Sequence, residues 1–579
     1  MDSGVSTSSG AVSDVTRRTV DVGGRAVHYR VTGAGPAVVM LHDSPRSSRL
    51  HLDTMRRLSH RFRVFALDTP GYGNSAPLDK TSPVIGDFAA ALGATLGALG
   101  LGEAPLYATH TSAKIALEYA ASIGTDTTGL PGSGQVPPIV ILDGLSIPVG
   151  PPNPEFISAY MRPFLVDAAG GYLSAEWTRM RDMLRWFPWF DQRPEVRMPI
   201  AQPTDEWISD YVIDFLSSGP AYSSAYSAAM YYDPMPALRR VSVPVLVAAK
   251  ADDVLYSSLD RVPADNPALT VERLSADREQ WLAWLEDALA GAAGDVPAPS
   301  EAAPQPAHGS LYVDLPHGAM RVHRAGKGGA RPLLILSAPT TLHALRWAAA
   351  LPGRATLVPE LPGFGESAPL PSPTLEAAAD ALAAMLDALG SGAVDILATG
   401  FATPLGATLA QRHPGAVASV ILDGCFQIAD SEAPLFARHL CPSFPFDMAG
   451  GHVHRYWHML RDAEASWPWH DRQADAIRTL PPLFGAEELH HALVGILKQP
   501  EHYGDIARAA CLTAYADRYP LFEQPALLLH KADDPGYRGT TEAAARLPGA
   551  KLAERPADID TAAGAVSDFL RQAATEVAL

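Results

Sequence analysis

Pro105-Leu106-Tyr107-Ala108-Thr109-His110-Thr111-Ser112-Ala113-Lys114-Ile115-Ala116-Leu117 is the stretch on which the fold turns. Its first four residues are an apolar run of strand character, and from Lys114 to Ala120 the chain takes up helical periodicity. Residues 109–112 must therefore turn a strand into a helix within a few bonds, and the residue at the tip of that turn is His110.

Similar apolar runs lie on either side: Ala37 to Leu41, Val64 to Leu67, Ile139 to Leu142 and Val243 to Val247, separated by helix-period stretches such as Phe88 to Leu99. Continuous apolar runs mark buried parallel strands, and parallel strands need helical crossovers. A doubly wound α/β sheet is expected. Between the last two runs, residues of about 152–232 are rich in Trp, Arg and Pro and lose this rhythm, as an inserted helical cap would.

The same landmarks return in the second half in the same order. Pro70-Gly71-Tyr72-Gly73-Asn74-Ser75-Ala76-Pro77-Leu78 is answered by Pro362-Gly363-Phe364-Gly365-Glu366-Ser367-Ala368-Pro369-Leu370, and Ile141-Leu142-Asp143-Gly144 by Ile421-Leu422-Asp423-Gly424. Trp177, Arg181-Asp182 and Lys250-Ala251-Asp252-Asp253 return as Trp457, Arg461-Asp462 and Lys531-Ala532-Asp533-Asp534. Repetition on this scale indicates an internal duplication, with a second cap at about 433–518. A chain of 579 residues also exceeds what one core supports. The Ala/Pro-rich residues 291–309 are expected to be the linker between domains at 16–290 and 310–579, the residues of a Gly/Pro/Thr-rich insertion near 124–137 a surface loop, and the Ser/Gly/Thr-rich residues 1–15 a disordered tail.

Composition narrows the function. Hydrophobic residues make up 47% of the chain, enough for well-filled cores, and the net charge of −18 disfavours nucleic acid and anionic membrane surfaces as partners. The N-terminus lacks a signal-like apolar core, and no later segment approaches the roughly 18 apolar residues of a membrane span. Cys425, Cys441 and Cys511 are odd in number and have no metal-ligand spacing, which fits a reducing compartment and a cytoplasmic location.

His42-Asp43-Ser44-Pro45 after the run Ala37 to Leu41, Asp68-Thr69-Pro70-Gly71-Tyr72-Gly73-Asn74-Ser75, and the Trp/Pro stretches Trp186 to Asp191 and Trp467 to Asp471 resemble motifs of the α/β-hydrolase superfamily, twice over. The resemblance implies two tandem doubly wound α/β-hydrolase-like domains, each with a helical cap. It also implies that residues 108–112 stand where the family has Gly-x-Ser-x-Gly, with His110 in the serine's place. The family's acid then falls on Asp253, or on Asp252 if the loop is shifted by one. The family's histidine position holds Asp277 in the first half and Asp558 in the second, and Gly400 stands at the second elbow.

On this resemblance His110 and Asp277 form a reversed pair, with the carboxylate orienting the imidazole and stabilising its protonated form. Asp253 and Asp277 are expected to approach each other, and the backbone N–H groups of Thr111 and Asp43 to form an oxyanion hole. The hydroxyls of Thr111 and Ser112 are rival nucleophiles or simply helix caps. Trp177 and Arg181 lie four apart on a helix, with Arg181 free either to bind a substrate carboxylate or to pair with Asp182. His452, His454 and His458 lack a third ligand within reach, so no metal is expected.

The implied function is cofactor-free hydrolysis of a small carbonyl compound, an ester or lactone, by a non-serine site in the first domain, with the second domain degenerate. Two alternatives stay open: a lyase with His110 as proton-transfer base, and a pseudohydrolase that binds a small ligand or organises a partner through the paired domains.

Overall fold

The computed structural model describes residues 15–123, 135–198, 201–292, 305–328 and 331–576. The tail at 1–14, most of the 124–137 insertion and the greater part of the expected linker lie outside the described residues. The chain forms two compact units, one of residues 1–164 and 179–306 and one of residues 165–178 and 307–579.

The first unit is built on eight strands: β1 (Thr16–Val22), β2 (Arg25–Thr32), β3 (Ala37–Leu41), β4 (Arg63–Leu67), β5 (Leu106–Thr109), β6 (Val140–Asp143), β7 (Val245–Lys250) and β8 (Leu269–Leu274). They lie side by side as β1-β2-β4-β3-β5-β6-β7-β8. The two pairings of β2 are antiparallel and the others parallel. Ala37 to Leu41 is almost wholly buried, as a central strand covered on both faces must be. The chain leaves β3 toward β4 on one side and returns to β5 on the other. The order therefore reverses at β3, and in doubly wound sheets the crevice at the carboxyl ends of strands at such a switch point is where ligands bind. His42-Asp43 and His110 stand at those ends.

Between β6 and β7 the helices Pro154–Tyr160, Gly171–Met183, Asp205–Ser218 and Ser223–Tyr231 occupy the stretch expected to be a cap.

The second unit repeats the plan with β9 (Gly309–Leu315), β10 (Gly318–Ala325), β11 (Leu333–Ala338), β12 (Thr356–Pro359), β13 (Val394–Gly400), β14 (Val417–Asp423), β15 (Ala526–His530) and β16 (Lys551–Glu554). Their order, β9-β10-β12-β11-β13-β14-β15-β16, is that of the first sheet. The helices Ala433–Leu440, Gly451–Ala463, Ala486–Lys498 and Asp505–Leu512 lie between β14 and β15. Cys425, Cys441 and Cys511 are unpaired and buried in this unit; burial pushes the thiols of Cys425 and Cys511 up to about 12.

The turn between β4 and its following helix shows how the repeated Pro-Gly motif works. The buried Asp68 carboxylate accepts from the amides of Ser48 (2.7 Å) and Asn74 (2.9 Å) and bonds His28 Nδ1 at 2.7 Å. Gly73, at φ 55°, lies so close that a Cβ would stand 2.1 Å from an Asp68 oxygen. Glu360 does the same work in the second unit, taking the Glu366 amide at 2.6 Å beneath Gly365.

Candidate active site

His110 has φ 48° and ψ −107° at the junction of β5 and the helix Thr111–Ser122. It is the only non-glycine residue with positive φ among those described. A backbone conformation that costs about 1–3 kcal/mol persists only where its surroundings hold it. They do so here: His110 N donates to the Asp143 carbonyl at 3.0 Å and Ala113 N to the His110 carbonyl at 3.1 Å.

The strained backbone aims the imidazole at the end of β7. His110 Nε2 lies 2.8 Å from Asp253 Oδ2, with 40% of the histidine side chain exposed and 8% of the aspartate's. Asp253 is fixed by its own turn, its N–H donating to the Lys250 carbonyl at 2.9 Å and its Oδ1 accepting from Leu255 N at 2.8 Å. Asp252 is exposed, and Asp253 is the carboxylate that meets His110. Burial works against a charged imidazole, but the Asp253 charge and hydrogen bond, with Asp43 and Asp143 behind them, outweigh it and hold His110 up to about 9. Burial likewise opposes the Asp253 carboxylate, and its attraction to His110 keeps its pKa below the ordinary value. The other ring nitrogen, Nδ1, has no protein partner among the described residues, which leaves one N–H or lone pair for chemistry.

Gly144 closes the far side. At φ 73° it passes so near the pair that a Cβ would stand 2.3 Å from His110 Cδ2 and 3.1 Å from Asp253 Oδ2. Beside it, the buried Asp143 takes the Tyr107 hydroxyl at 2.8 Å and Trp281 Nε1 at 3.1 Å.

Several expectations are corrected. Asp277 does not pair with His110 or approach Asp253: it is exposed and caps the helix Arg278–Ala292, accepting from Gln280 N at 2.9 Å. Asp558 caps the helix Ile559–Glu576 in the same way, through Thr561 N at 2.8 Å. Neither Thr111 nor Ser112 caps a helix with its hydroxyl, because His110 itself holds the N-cap position of Thr111–Ser122 without a side-chain cap. Ser112 Oγ is committed to the His42 carbonyl, which removes it as a nucleophile. Trp177 falls within the second unit, where its Nε1 donates to the Met448 carbonyl at 2.9 Å. Arg181 is half-buried with Nε unpartnered, and its charge acts on Asp182.

Thr111 and Asp43 stand where the oxyanion hole was expected. Thr111 is buried as the first residue of its helix, where an N–H has no intrahelical partner. Asp43 accepts His42 Nδ1 on its carbonyl at 2.7 Å and holds Oδ1 buried without a hydrogen bond. Its charge acts on His110 and on the hydroxyls of Tyr72, Tyr211 and Tyr226. Tyr226 in turn meets the Tyr160 hydroxyl at 3.0 Å.

Sequence reasoning missed the clamp on this loop. Arg46 and Ser47 bond the buried Asp214 of the helix Asp205–Ser218 at 2.8 and 2.7 Å, and the Arg46 guanidinium lies 4.8 Å over Trp207. The only signal was an Arg-Ser pair beside the strand end, and its partner lies more than 160 residues away.

The second unit keeps the turn with glycine at its tip. Gly400 has φ 52°, and a Cβ there would meet nothing within 4 Å. Asp534, the repeat of Asp253, is buried and spent on the amides of Thr479 (3.0 Å), Leu480 (3.1 Å) and Gly536 (2.9 Å) and on Arg478 Nε (3.1 Å).

Residues 342–448 match the family described as the alpha/beta hydrolase fold. Curated proteins give no match. Solved structures similar to part of the chain include an epoxide hydrolase from an endophytic Streptomyces (20% identity, 48% of this chain and 96% of that one, TM-score 0.37). Potato (Solanum tuberosum) epoxide hydrolase I is 17% identical over 48% of this chain and 98% of its own, with a TM-score of 0.37. E-2-(Acetamidomethylene)succinate hydrolase is 18% identical over 48% and 99%, with a TM-score of 0.34.

Proposed function

We propose that this chain, a member of the α/β-hydrolase superfamily, hydrolyses a small ester or lactone without a cofactor, using a His110–Asp253 dyad in its first unit. The observation that carries this reading is the 2.8 Å pair at a strained elbow. Neutral Nδ1 takes a proton from water as that water attacks the carbonyl carbon, and imidazolium then returns the proton to the departing oxygen. Asp253 fixes the tautomer, bonding Nε2–H so that Nδ1 carries the reactive lone pair. The backbone N–H groups of Thr111 and Asp43 are assigned to the developing oxyanion.

With His110 held up to about 9, the free base is about 1% of the site at neutral pH, while imidazolium is abundant as the acid. Activity should therefore climb with pH through that value. The test is turnover of a panel of small esters and lactones, with oxygen-18 water supplying the label for the product acid. Loss of turnover in His110→Ala, with label in the wild-type product, is the expected result. Turnover unaltered in His110→Ala removes the dyad from the reaction. Serine-directed organophosphates should leave both elbows unlabelled, since neither His110 nor Gly400 carries a hydroxyl.

One observation favours a second reading, a lyase in which His110 withdraws a proton from carbon. The unpartnered Asp43 Oδ1 is poorly placed beside an oxyanion and well suited to a substrate N–H or O–H. Product free of oxygen-18, with deuterium from heavy water exchanged into the recovered substrate as the proton transfer to His110 reverses, is its signature.

A further inference from the structure

An opening at an elbow lies in the second unit, where the elbow residue is glycine. A cavity of about 140 Å³ lies over Gly400, walled by Phe401, Leu440, Met459, Trp467 and Trp469 and reaching His343, Glu464 and Arg478 at its polar end. An apolar cavity of about 150 Å³ accommodates a benzene ring. The walls suit a flat guest: Phe401 and Trp467 stack with centroids 6.0 Å apart and planes at 10°, so an aromatic ring entering beside them extends an existing stack.

The polar end selects against an anionic guest. Arg478 is paired with Asp534 at 3.1 Å, and behind it Arg555 meets Asp423 at 3.3 Å, so neither guanidinium is left without a carboxylate for an anionic guest. Burial and the two arginine charges push His343 down to about 3, leaving a neutral imidazole. Its ring nitrogens have no protein partner among the described residues, and its one ring contact is an edge-on approach to Phe484 at 4.9 Å. A neutral imidazole offers one donor and one acceptor, which matches a single hydroxyl.

We propose that the second unit is a binding site for an uncharged monocyclic aromatic alcohol of the phenol class, its ring against the edge of the Phe401–Trp467 stack and its hydroxyl on His343. The bare elbow leaves the guest unreacted: at Gly400 there is no side chain to attack it and the space above is open. This site is independent of the His110 reading.

The experiment titrates the full-length protein with p-cresol, following tryptophan fluorescence and heat of binding, with toluene, cyclohexanol and benzoate as comparison probes. Saturable one-to-one binding of p-cresol is expected, with each comparison probe weaker by about tenfold, the scale of one lost hydrogen bond or stacking contact. His343→Leu should bring p-cresol down to the affinity of toluene. Ala463→Phe, which grows into the cavity from the end of the helix Gly451–Ala463, should abolish binding. Leu440→Phe is the second filling variant should Ala463→Phe fail to fold. His110→Ala should bind p-cresol as the wild type does. No saturable binding, benzoate binding more tightly than p-cresol, or binding lost in His110→Ala and kept in both filling variants each overturns the proposal.

Discussion

His110 and Gly400 occupy the same point of two copies of one fold, at φ 48° and φ 52°, yet only one position carries a side chain. In the second unit the left-handed turn survives on glycine, for which that region costs almost nothing, and the neighbouring acid Asp534 has been absorbed into backbone hydrogen bonding. In the first unit the turn survives on a histidine at a cost in strain, and Asp253 remains aimed at it. Where the elbow has no side chain, the strain is relieved and the acid is spent on other partners. A strained residue that keeps its partner is therefore a better guide to a working site than the turn itself.

The sharpest way to break this contrast is His110→Ala, which should lower kcat/KM on any substrate found by about 10²–10⁴, the range for a positioned acid–base group. An unchanged value would make the first elbow as idle as the second. Gly144→Ala comes next. Its methyl would overlap the imidazole at 2.3 Å and displace the ring from Asp253, with an expected loss of about 10², typical of ångström-scale misplacement, while circular dichroism stays native.

A smaller effect separates the two aspartates. Asp253→Asn should move the rise of kcat/KM, and the His110 ring titration seen by NMR, downward from about 9, since the largest charge opposing burial is then gone and only Asp43 and Asp143 remain against it. Asp277→Asn, at an exposed helix cap, should leave that midpoint in place. The sign for stability follows the same ordering. A histidine whose folded pKa is raised contributes stability fully below its unfolded value of about 6.5 and loses it as pH rises through about 9. The stability gap between wild type and Asp253→Asn, read from urea midpoints, should close across that window. The smallest effect is that of Gly400→Ala, for which left-handed backbone strain predicts a loss of about 1–2 kcal/mol in urea unfolding, with no contact to offset it.

Much of this was legible in the sequence. The duplicated strands follow from apolar runs and repeated motifs, because a buried parallel strand leaves little choice of residue, whereas His110 at the elbow and Asp253, with Asp252 left open, were carried by the resemblance. The partner of His110 was misjudged because the resemblance assigned Asp277 a catalytic position. Ser275-Ala276-Asp277-Arg278-Glu279-Gln280 was equally readable as an N-cap before a helix, and the duplicate Asp558, capping in the same way, was the clue. Trp177 was misplaced for a different reason: helical spacing fixes which face a residue occupies and says nothing of what that face meets. The Arg46–Asp214 clamp and the crowding of Gly144 against the dyad depend on contacts between distant parts of the chain, which periodicity cannot express.

The three cysteines give the second unit a private reporter. Every thiol in the chain lies there, buried and unpaired, so a disulfide-exchange reagent can react only when that unit opens. The rate of colour development under native conditions is then a clock for local opening of the second unit. Adding p-cresol should slow that clock and a ligand of the first unit should not, so ligand occupancy of the second unit becomes measurable without any assay of turnover.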